Sequence, residues 1–430
     1  MSQMLQRMIC LLCLLPSCCW IAEAQNCPAS TMTSERAQSG ANWTLSKIVD
    51  QMQHPANDLI LATAHRGAWR YCPENTIEAF HKAMDDGAEA VEMDIRLAVD
   101  GTPMMTHDWD RRGEAPHTGV GMSYNNFVYA LQPSELMSAP MVNRVGADAV
   151  DTENHPIHMH SLNELLDSYL ARVQMLTGED AYSKTVNRGS MVVLDLKGSG
   201  DGAESYIEGY GYNTSQYSNL LNSLRAVKAW QDKTGYDLMT HALAFKINLK
   251  SIPDIEQFIS DYSAIGLQST PPHLIFIVFP EDMQYVDNDE AKGFMYPERV
   301  QKLDTYVVEY SNYLLTDYQY RYPGVSVEKY VLETRQNGRG AGGFASTNAF
   351  PEGNRDSDGT CSLSSGLFVR IPCGPQALQK FATSALEFMA PPRVNGVQVI
   401  QRASSITTDW YENLVNYLSV IGMRNTEHIR

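Results

Sequence analysis

Ionisable side chains interrupt four apolar runs of this chain, where they could act together. His65 and Arg66 follow the run at residues 59–64, and His107 ends the run at residues 104–107. The other two runs, residues 90–95 and 191–196, carry or directly precede Glu92, Asp94, Asp195 and Lys197. A charge inside a strand that is covered on both faces is costly unless it is paired or bound to a metal. One such interruption fits an internal ion pair, whereas four together indicate a functional site.

Three of these residues are carboxylates that can hold a metal ion. Glu92 and Asp94 are two positions apart, so in a strand their side chains point the same way while Val91 and Met93 point away. Asp195 adds a third carboxylate from another strand. An all-oxygen site suits a hard cation better than zinc. The residues therefore predict a divalent cation, Ca²⁺ or Mg²⁺, at this site.

The remaining residues are two histidines and two cations. His65 and His107 can serve as acid and base near neutral pH. Arg66 and Lys197 can bind phosphate oxygens. A metal, two histidines and two cations around one cavity describe phosphoester cleavage better than glycoside or acyl chemistry.

Short apolar runs alternate with amphipathic stretches along most of the chain, and they would position these residues. Strands are predicted at residues 59–64, 90–95, 104–107, 191–196, 242–247, 274–279, 330–333 and 397–400. Helices are predicted at residues 75–87, 162–176, 217–234, 255–265, 297–314, 376–389 and 410–417. Such alternation implies a parallel sheet, and about eight repeats imply a closed TIM (β/α)8-type barrel. Active sites of this architecture lie at the C-terminal strand ends, where the ionisable residues fall.

Two stretches break this rhythm and are predicted to be insertions. Residues 109–160 have little periodicity and many Gly, Pro, His and Asn residues, and residues 335–375 are rich in Gly, Ser and Asn. A loop of such length in a compact domain is usually a lid, a binding loop or a disordered segment.

The first two dozen residues have the layout of an export signal. Arg7 precedes an apolar run that is too short to span a bilayer, and Ala22-Glu23-Ala24 fits a cleavage site. The predicted organisation is a signal peptide over residues 1–24, an extension over residues 25–58 and a barrel domain over residues 59–430. The mature protein would be secreted or periplasmic. The alternative is a lipoprotein anchored at Cys18.

Four cysteines would remain after cleavage, and an even number in an exported chain favours disulfides. Of the three possible pairings, the one favoured joins Cys361 to Cys373 across a short loop and Cys27 to Cys72 near the first barrel loop.

The formal net charge of −17 argues against nucleic-acid binding, which usually needs a basic face. No segment beyond the N-terminus is long and apolar enough to predict stable insertion into a membrane. The composition therefore predicts neither a nucleic-acid partner nor stable membrane insertion.

Residues 64–108 resemble the signature of the glycerophosphodiester phosphodiesterases, a family whose TIM barrel is similar to that of the phosphatidylinositol phospholipases C. The matching motifs, in order, are His65-Arg66-Gly67, Pro73-Glu74-Asn75-Thr76, Ala79-Phe80, Gly87-Ala88, Glu92-x-Asp94, Asp100-Gly101-x-Pro103 and His107-Asp108. Weaker similarity follows at Leu162-x-Glu164-x-Leu166, Asp195-x-Lys197 and Thr408-Asp409.

The resemblance implies a TIM barrel, a divalent cation on Glu92 and Asp94 and the residue at position 195, and catalysis by two histidines. It also implies that Glu74 and Asn75 shape the site from the first loop. The short turn at Asp100-Gly101 makes the barrel irregular between strands 2 and 3. The family usually has glutamate where Asp195 stands, which affects the affinity or identity of the metal.

The expected reaction is hydrolysis of a small glycerophosphodiester to glycerol phosphate and an alcohol. One alternative is cleavage of a lipid phosphodiester, as by the similar sphingomyelinase D or phospholipase C enzymes. A non-catalytic barrel that binds phosphate esters is the other. The residues do not decide which histidine is acid and which is base.

Overall fold

The structure of the protein is a computed structural model. It describes residues 43–53, 56, 58–69, 71–107, 128–138, 140–141, 150–151, 153–177, 186–198, 215–239, 242–248, 251–252, 255–267, 272–277, 306–311, 343–347, 360–362, 370–372, 393–394, 397–398, 403–408, 411–420 and 422–430.

The described part of the chain contains thirteen strands. In chain order they are β1 Leu61–Ala64, β2 Ala90–Leu97, β3 Pro103–Met105, β4 Met191–Leu196, β5 Leu243–Asn248, β6 His273–Ile277, β7 Tyr306–Ser311, β8 Gly343–Thr347, β9 Thr360–Ser362, β10 Arg370–Pro372, β11 Arg393–Val394, β12 Val397–Gln398 and β13 Ala403–Thr408.

Eight of these described strands close into a parallel barrel. Their order around the barrel is β1, β2, β4, β5, β6, β7, β8 and β13, and every neighbouring pair is parallel. The barrel closes because β1 pairs on one side with β2 and on the other with β13. The predicted TIM-type barrel is therefore confirmed by the strand pairings.

The described residues contain seven α-helices, of which the first precedes β1 and the others follow strands in the chain. They are α1 Leu45–Gln53, α2 Ile77–Asp85, α3 Pro133–Ser138, α4 Leu162–Thr177, α5 Gln216–Thr234, α6 Ile255–Ala264 and α7 Tyr411–Val420. Helix α2 begins where the Thr76 side chain accepts a hydrogen bond from the Ala79 amide, an N-cap that satisfies one of the exposed donors of the first turn. Helix α5 ends at Gly235, whose positive φ of 77° suits a glycine.

The core lies between the barrel wall and its helices. On β2, Val91, Met93 and Ile95 are fully buried and belong to the main apolar cluster. The intervening residues Glu92 and Asp94 are also buried, and they face the opposite side of the strand. A barrel strand thus has an apolar face towards the helices and, near its C-terminal end, an ionisable face towards the interior.

The third strand is short and does not belong to the barrel. β3 pairs antiparallel with β2, in the register Ile95 to Met105, after the turn at Gly101. Part of the predicted insertion packs beneath it as a second apolar cluster that includes Met104, Leu136 and Ile157. The irregularity expected after strand 2 is therefore a hairpin that leaves the barrel wall, so the predicted barrel strand at residues 104–107 was wrong.

Three other predicted elements were wrong in the second half of the chain. The helix predicted at residues 297–314 was wrong because this range contains strand β7. The aromatic and β-branched residues Tyr306-Val307-Val308 favour a strand, but their spacing also fits one face of a helix. The insertion predicted at residues 335–375 contains barrel strand β8, whose Gly343–Thr347 sequence is too short and too polar to be recognised. The final barrel strand is β13, whereas Val397 lies in a small antiparallel hairpin.

Several predictions lie outside the described residues. They are the signal peptide, the strand at residues 330–333, the helix at residues 376–389 and the cysteines Cys27 and Cys373. Cys72 is buried and disulfide-bonded, and its pairing with Cys27 stays a prediction. None of the helices in the described ranges combines the length and the hydrophobicity of a membrane span.

Candidate functional site

Strand register brings three ionisable residues to one level of the barrel interior. Asp94 on β2 is opposite Asp195 on β4, and Asp195 is opposite Lys246 on β5. Residues in register on parallel strands point to the same side of the sheet, so all three share one face. Glu92 shares that face because it lies two residues before Asp94.

Three buried carboxylates form a compact cluster. Glu92, Asp94 and Asp195 each offer an oxygen, and these oxygens lie within 4.8 Å of one another. One oxygen of each group, Glu92 Oε1, Asp94 Oδ1 and Asp195 Oδ1, is buried without a hydrogen bond within the described structure. Lys197 and His65 lie near two of these oxygens without hydrogen-bonding to them. Buried carboxylate oxygens that accept no hydrogen bond are costly unless an ion or water completes them. The donors therefore fit a hard divalent cation, as the sequence predicted.

Two lysines contact the same carboxylates. Lys197 Nζ lies 3.1 Å from Asp94 Oδ1 and 2.9 Å from Asp195 Oδ2. Lys246 Nζ lies 2.8 Å from Glu92 Oε2 and 3.1 Å from Asp195 Oδ2. Burial lowers the pKa of Lys197, but Asp195 and Asp94 outweigh burial and hold that pKa above its usual range. Both ammonium groups thus offset charge within the cluster.

The turn after β1 carries the first histidine and the arginine. His65 is buried, with Nε2 3.6 Å from Glu92 Oε1. Arg66 has a positive φ of 55°, and its guanidinium donates to both carboxylate oxygens of Glu74 at 3.0 Å. Its Nε lies 3.2 Å from Asp94 Oδ2. The turn therefore directs a positive charge at the carboxylate cluster.

Asn75 connects this turn to the second strand. Its side-chain amide donates to Asp94 Oδ2 at 2.9 Å, and its carbonyl oxygen accepts from the Asp94 amide at 2.7 Å. Asn75 has a positive φ of 56°, and its backbone amide donates a hydrogen bond to the Arg66 carbonyl. Asparagine tolerates this backbone conformation better than most residues. The pair of bonds holds Asp94 in one orientation.

The second histidine follows the β2–β3 hairpin. Arg96 at the end of β2 donates from Nε to the His107 carbonyl at 2.6 Å and from a terminal nitrogen to the Gly198 carbonyl at 2.9 Å. Burial and then the charge of Arg66 lower the pKa of His107 well below its usual range. These surroundings therefore favour the neutral imidazole. Arg96 thus links the loop that carries His107 to the end of β4.

Electrostatics within the cluster also favours ionised carboxylates. Burial raises the pKa of Asp94, but Lys197 and Arg66 outweigh burial and hold that pKa well below its usual range. The pKa of Asp195 is raised by burial as well, and Lys197 and Lys246 hold it lower than usual. Ionised carboxylates are the form that binds a cation.

The structure brings all the sequence-predicted site residues to this end of the barrel and adds two more. The predicted residues are His65, Arg66, Glu74, Asn75, Glu92, Asp94, His107, Asp195 and Lys197. The sequence analysis missed Lys246 and Arg96. Lys246 interrupts the apolar run Leu243–Asn248 as Asp195 interrupts its own, so the same signal was present in the sequence.

Comparisons with known proteins match the segment that contains most of these residues. A model described as the glycerophosphoryl diester phosphodiesterase family matches residues 65–193, a span that ends just before Asp195 and Lys197 and contains all the other predicted site residues. An uncharacterised protein of Sinorhizobium fredii, y4eD, is 23% identical over 381 residues, which is 87% of each chain.

Relatives that carry a functional name match a shorter segment. The glycerophosphodiester phosphodiesterase of Caldanaerobacter subterraneus is 48% identical over 48 residues, 11% of this chain and 20% of that protein. Human glycerophosphodiester phosphodiesterase 1 is 47% identical over 51 residues, 12% of this chain and 15% of that protein. The chain therefore aligns with no more than about a fifth of the length of these named relatives.

Solved structures resemble the chain more broadly and at lower identity. A glycerophosphoryl diester phosphodiesterase from Parabacteroides distasonis is 14% identical, with a TM-score of 0.46, over 88% of this chain and 92% of that one. The fold of this chain follows from its own strand pairings. The family resemblance that the motifs predicted is confirmed over residues 65–193, which match the glycerophosphoryl diester phosphodiesterase family.

Proposed function

We propose that this chain hydrolyses small glycerophosphodiesters to glycerol phosphate and an alcohol. The main support is the buried cluster of Glu92, Asp94 and Asp195, three carboxylates with oxygens within 4.8 Å of one another. His65 lies against this cluster, with 3.6 Å between its Nε2 and Glu92 Oε1. The match of residues 65–193 to the phosphodiesterase family supports the same reaction class.

Glu92, Asp94 and Asp195 would hold a divalent cation, Ca²⁺ or Mg²⁺. Such a cation polarises phosphoryl oxygens and offsets the charge that develops on them. Arg66 and Lys197 would stabilise the same charge from the sides of the site, since both lie against Asp94. Asn75 would keep Asp94 oriented through its two hydrogen bonds.

His65 and His107 would move the protons. One imidazole takes a proton from the attacking hydroxyl, and the other gives a proton to the oxygen of the departing alcohol. The attacking hydroxyl belongs to water or to the neighbouring glycerol carbon, and the second case passes through a cyclic phosphate. Both histidines are on loops that charged hydrogen bonds hold in place, Arg66 to Glu74 for one and Arg96 to the His107 carbonyl for the other.

The proposal also covers where the protein acts. The signal-like segment at residues 1–24 supports export to the periplasm or the outside, with glycerophosphodiesters outside the cytosol as substrates. N-terminal sequencing of the mature protein tests this part, and an intact Met1 in the exported fraction would exclude cleavage after residue 24.

The test of the reaction is release of glycerol phosphate from glycerophosphocholine by purified protein. The protein is first treated with a chelator, and then Ca²⁺, Mg²⁺ or Mn²⁺ is restored. Release that depends on one of these cations is expected. No release with any of them, or release that survives chelation unchanged, contradicts the proposal.

The histidine variants sharpen this experiment. His65→Ala and His107→Ala are each expected to lower turnover by about 10²–10⁴-fold, the usual contribution of an acid–base group. His155→Ala is the matched control because His155 is exposed and interacts with Asp151 and Glu153 instead of the cluster. Turnover within a few-fold of wild type in His65→Ala would refute its assignment.

A further inference from the structure

Lys246 differs from the other cations of the site in its position. It lies on β5, two strands from Glu92 and next to Asp195 in register. Its side chain is 4% exposed, so its charge has almost no contact with bulk water. A buried ammonium needs anionic partners, because its desolvation is costly. Its partners include two of the three carboxylates suited to a metal.

Lys246 contacts one of the two oxygens of each of these carboxylates. Lys246 Nζ contacts Glu92 Oε2 at 2.8 Å and Asp195 Oδ2 at 3.1 Å. The other oxygens, Glu92 Oε1 and Asp195 Oδ1, are the buried atoms that lack a hydrogen bond within the described structure. Lys246 therefore leaves one oxygen of each carboxylate available.

Cationic side chains offset most of the charge of the cluster without a metal. Glu92, Asp94 and Asp195 carry three negative charges. Lys197 and Lys246 carry two positive charges. Arg66, 3.2 Å from Asp94, adds a third, which it shares with the carboxylate of Glu74. Each ammonium in contact with a carboxylate weakens the attraction of that carboxylate for a further cation, and the effect is large in a buried site. A divalent ion entering this cluster meets carboxylates whose charge is already largely offset.

We propose that Lys246 is a built-in counter-cation of the metal site. It keeps the carboxylates folded together when no metal is bound, and it lowers the affinity of the site for a divalent cation. The proposal rests on the metal site of the proposed function, but it concerns binding and folding and does not require the reaction.

The first measurement is metal binding to the wild-type chain by isothermal titration calorimetry with Mg²⁺ and Ca²⁺. We expect weak binding, with dissociation constants of about 0.1 mM or higher, in the range of weak protein sites for these ions. Thermal unfolding should also occur at nearly the same temperature with chelator and with metal. Submicromolar affinity of the wild-type site, or unfolding on chelation alone, would overturn the proposal.

The second measurement uses Lys246→Met, which keeps the length of the side chain and removes its charge. We expect divalent binding at least about tenfold tighter and a melting temperature that falls with chelator and recovers with metal. Equal or weaker metal binding in Lys246→Met would mean that Lys246 only positions the carboxylates, which overturns the proposal.

Two controls complete the design. Lys228→Met removes a lysine whose partner is Asp232 on the outer surface of α5, and it should leave metal affinity unchanged. Lys246→Arg keeps the positive charge and should keep wild-type affinity.

One outcome is that the Lys246→Met protein folds and can be purified only when metal is added. Such a requirement for metal supports the proposal, because the wild type and Lys246→Arg are expected to fold without metal. Glycerophosphocholine turnover is measured separately. If the protein binds metal as expected but releases no glycerol phosphate, the result contradicts the proposed reaction and leaves the role of Lys246 supported.

Discussion

At the scale of single residues, the site depends on groups that orient the carboxylates as much as on the carboxylates themselves. Asn75 makes two hydrogen bonds to Asp94, one to its carboxylate and one to its amide. It does so from a left-handed backbone conformation, which asparagine adopts at lower cost than most residues. A short polar side chain therefore fixes both the turn and a predicted metal ligand.

Asn75→Ala should lower both stability and turnover. The variant loses two buried hydrogen bonds, one of them to a charge, and places alanine at a positive φ, which together should cost about 3–4 kcal/mol of unfolding free energy. Chemical denaturation measures this loss, and the steady-state assay measures the loss of turnover.

The matched control is Asn154→Ala. Asn154 also has a positive φ, 65°, but its side chain is exposed. We expect a cost of only about 1 kcal/mol there, from the backbone alone. Equal destabilisation by the two variants would show that the bonds to Asp94 contribute nothing.

At the scale of elements, the β1–α2 connection holds the first histidine against the barrel. Gly67 has a φ of 74°, and a Cβ there would lie 2.7 Å from the Ala79 carbonyl carbon and 2.8 Å from the Ala79 carbonyl oxygen. The Ala68 amide donates to that same carbonyl. The turn and the first turn of α2 are therefore in direct backbone contact.

Gly67→Ala should destabilise the protein by about 3 kcal/mol, because both a positive φ and a clash with backbone atoms act together. Thermal and denaturant unfolding measure the effect. Gly422→Ala is the control, since Gly422 has a φ of 75° and a Cβ added there would meet nothing within 4 Å among the described residues. It should cost about 1 kcal/mol. A similar cost for both variants would argue against close packing of the turn on α2.

The α2–α4 contact predicts a pH dependence of stability. Burial, and then the charge of Arg172, lowers the pKa of His81 to about 4, and its Nε2 lies 2.9 Å from Ser168 Oγ. As the pH decreases, His81 of the unfolded chain binds a proton near pH 6.5, whereas His81 of the folded chain binds one only near pH 4. The free energy of unfolding therefore falls as the pH decreases from about 6.5 to about 4.

His81→Gln should remove about 2–3 kcal/mol of that pH dependence. Denaturant unfolding at a series of pH values between about 4 and about 7 measures it. The exposed His155, replaced by Gln, serves as the control and should leave the slope unchanged. A slope that is the same in His81→Gln and the wild type would contradict the prediction.

At the scale of the whole molecule, the C-terminal segment closes the end of the barrel opposite the site. Arg424 donates to Glu89 Oε1 and to the Ile60 carbonyl, and Glu89 is fully buried where β2 begins. Glu89 also accepts from the Ala62 amide at 2.8 Å. Thr44, at the start of the described N-terminal part, donates its amide to the Ile429 carbonyl. The two ends of the described chain thus meet at one end of the barrel.

Arg424→Met should destabilise the protein by about 3–5 kcal/mol, because it leaves the buried charge of Glu89 without its cationic partner. Arg430→Met removes an exposed arginine that pairs with Glu427 and should cost less than about 1 kcal/mol. Denaturant unfolding of both variants measures the difference. A small effect of Arg424→Met would mean that Glu89 is satisfied without the C-terminal segment.

The sequence by itself determined the first half of the barrel and most of the site. Apolar runs ending in charged residues locate β1, β2 and β4, because burial of both strand faces makes every charge informative. The close motif spacing over residues 64–108 then assigns His65, Asp94 and His107 to one site.

Only the tertiary structure decided the remaining strands and the partners of the site residues. The pattern at β7 fits a helix as well as a strand, and the short polar β8 becomes a barrel strand only through its pairing with β7 and β13. The role of Lys246 also depends on the tertiary structure. The sequence shows its charge, but the register of β2, β4 and β5 determines which carboxylates it contacts. Local pattern records which residues are buried, whereas pairing between distant strands decides which of the buried charges meet.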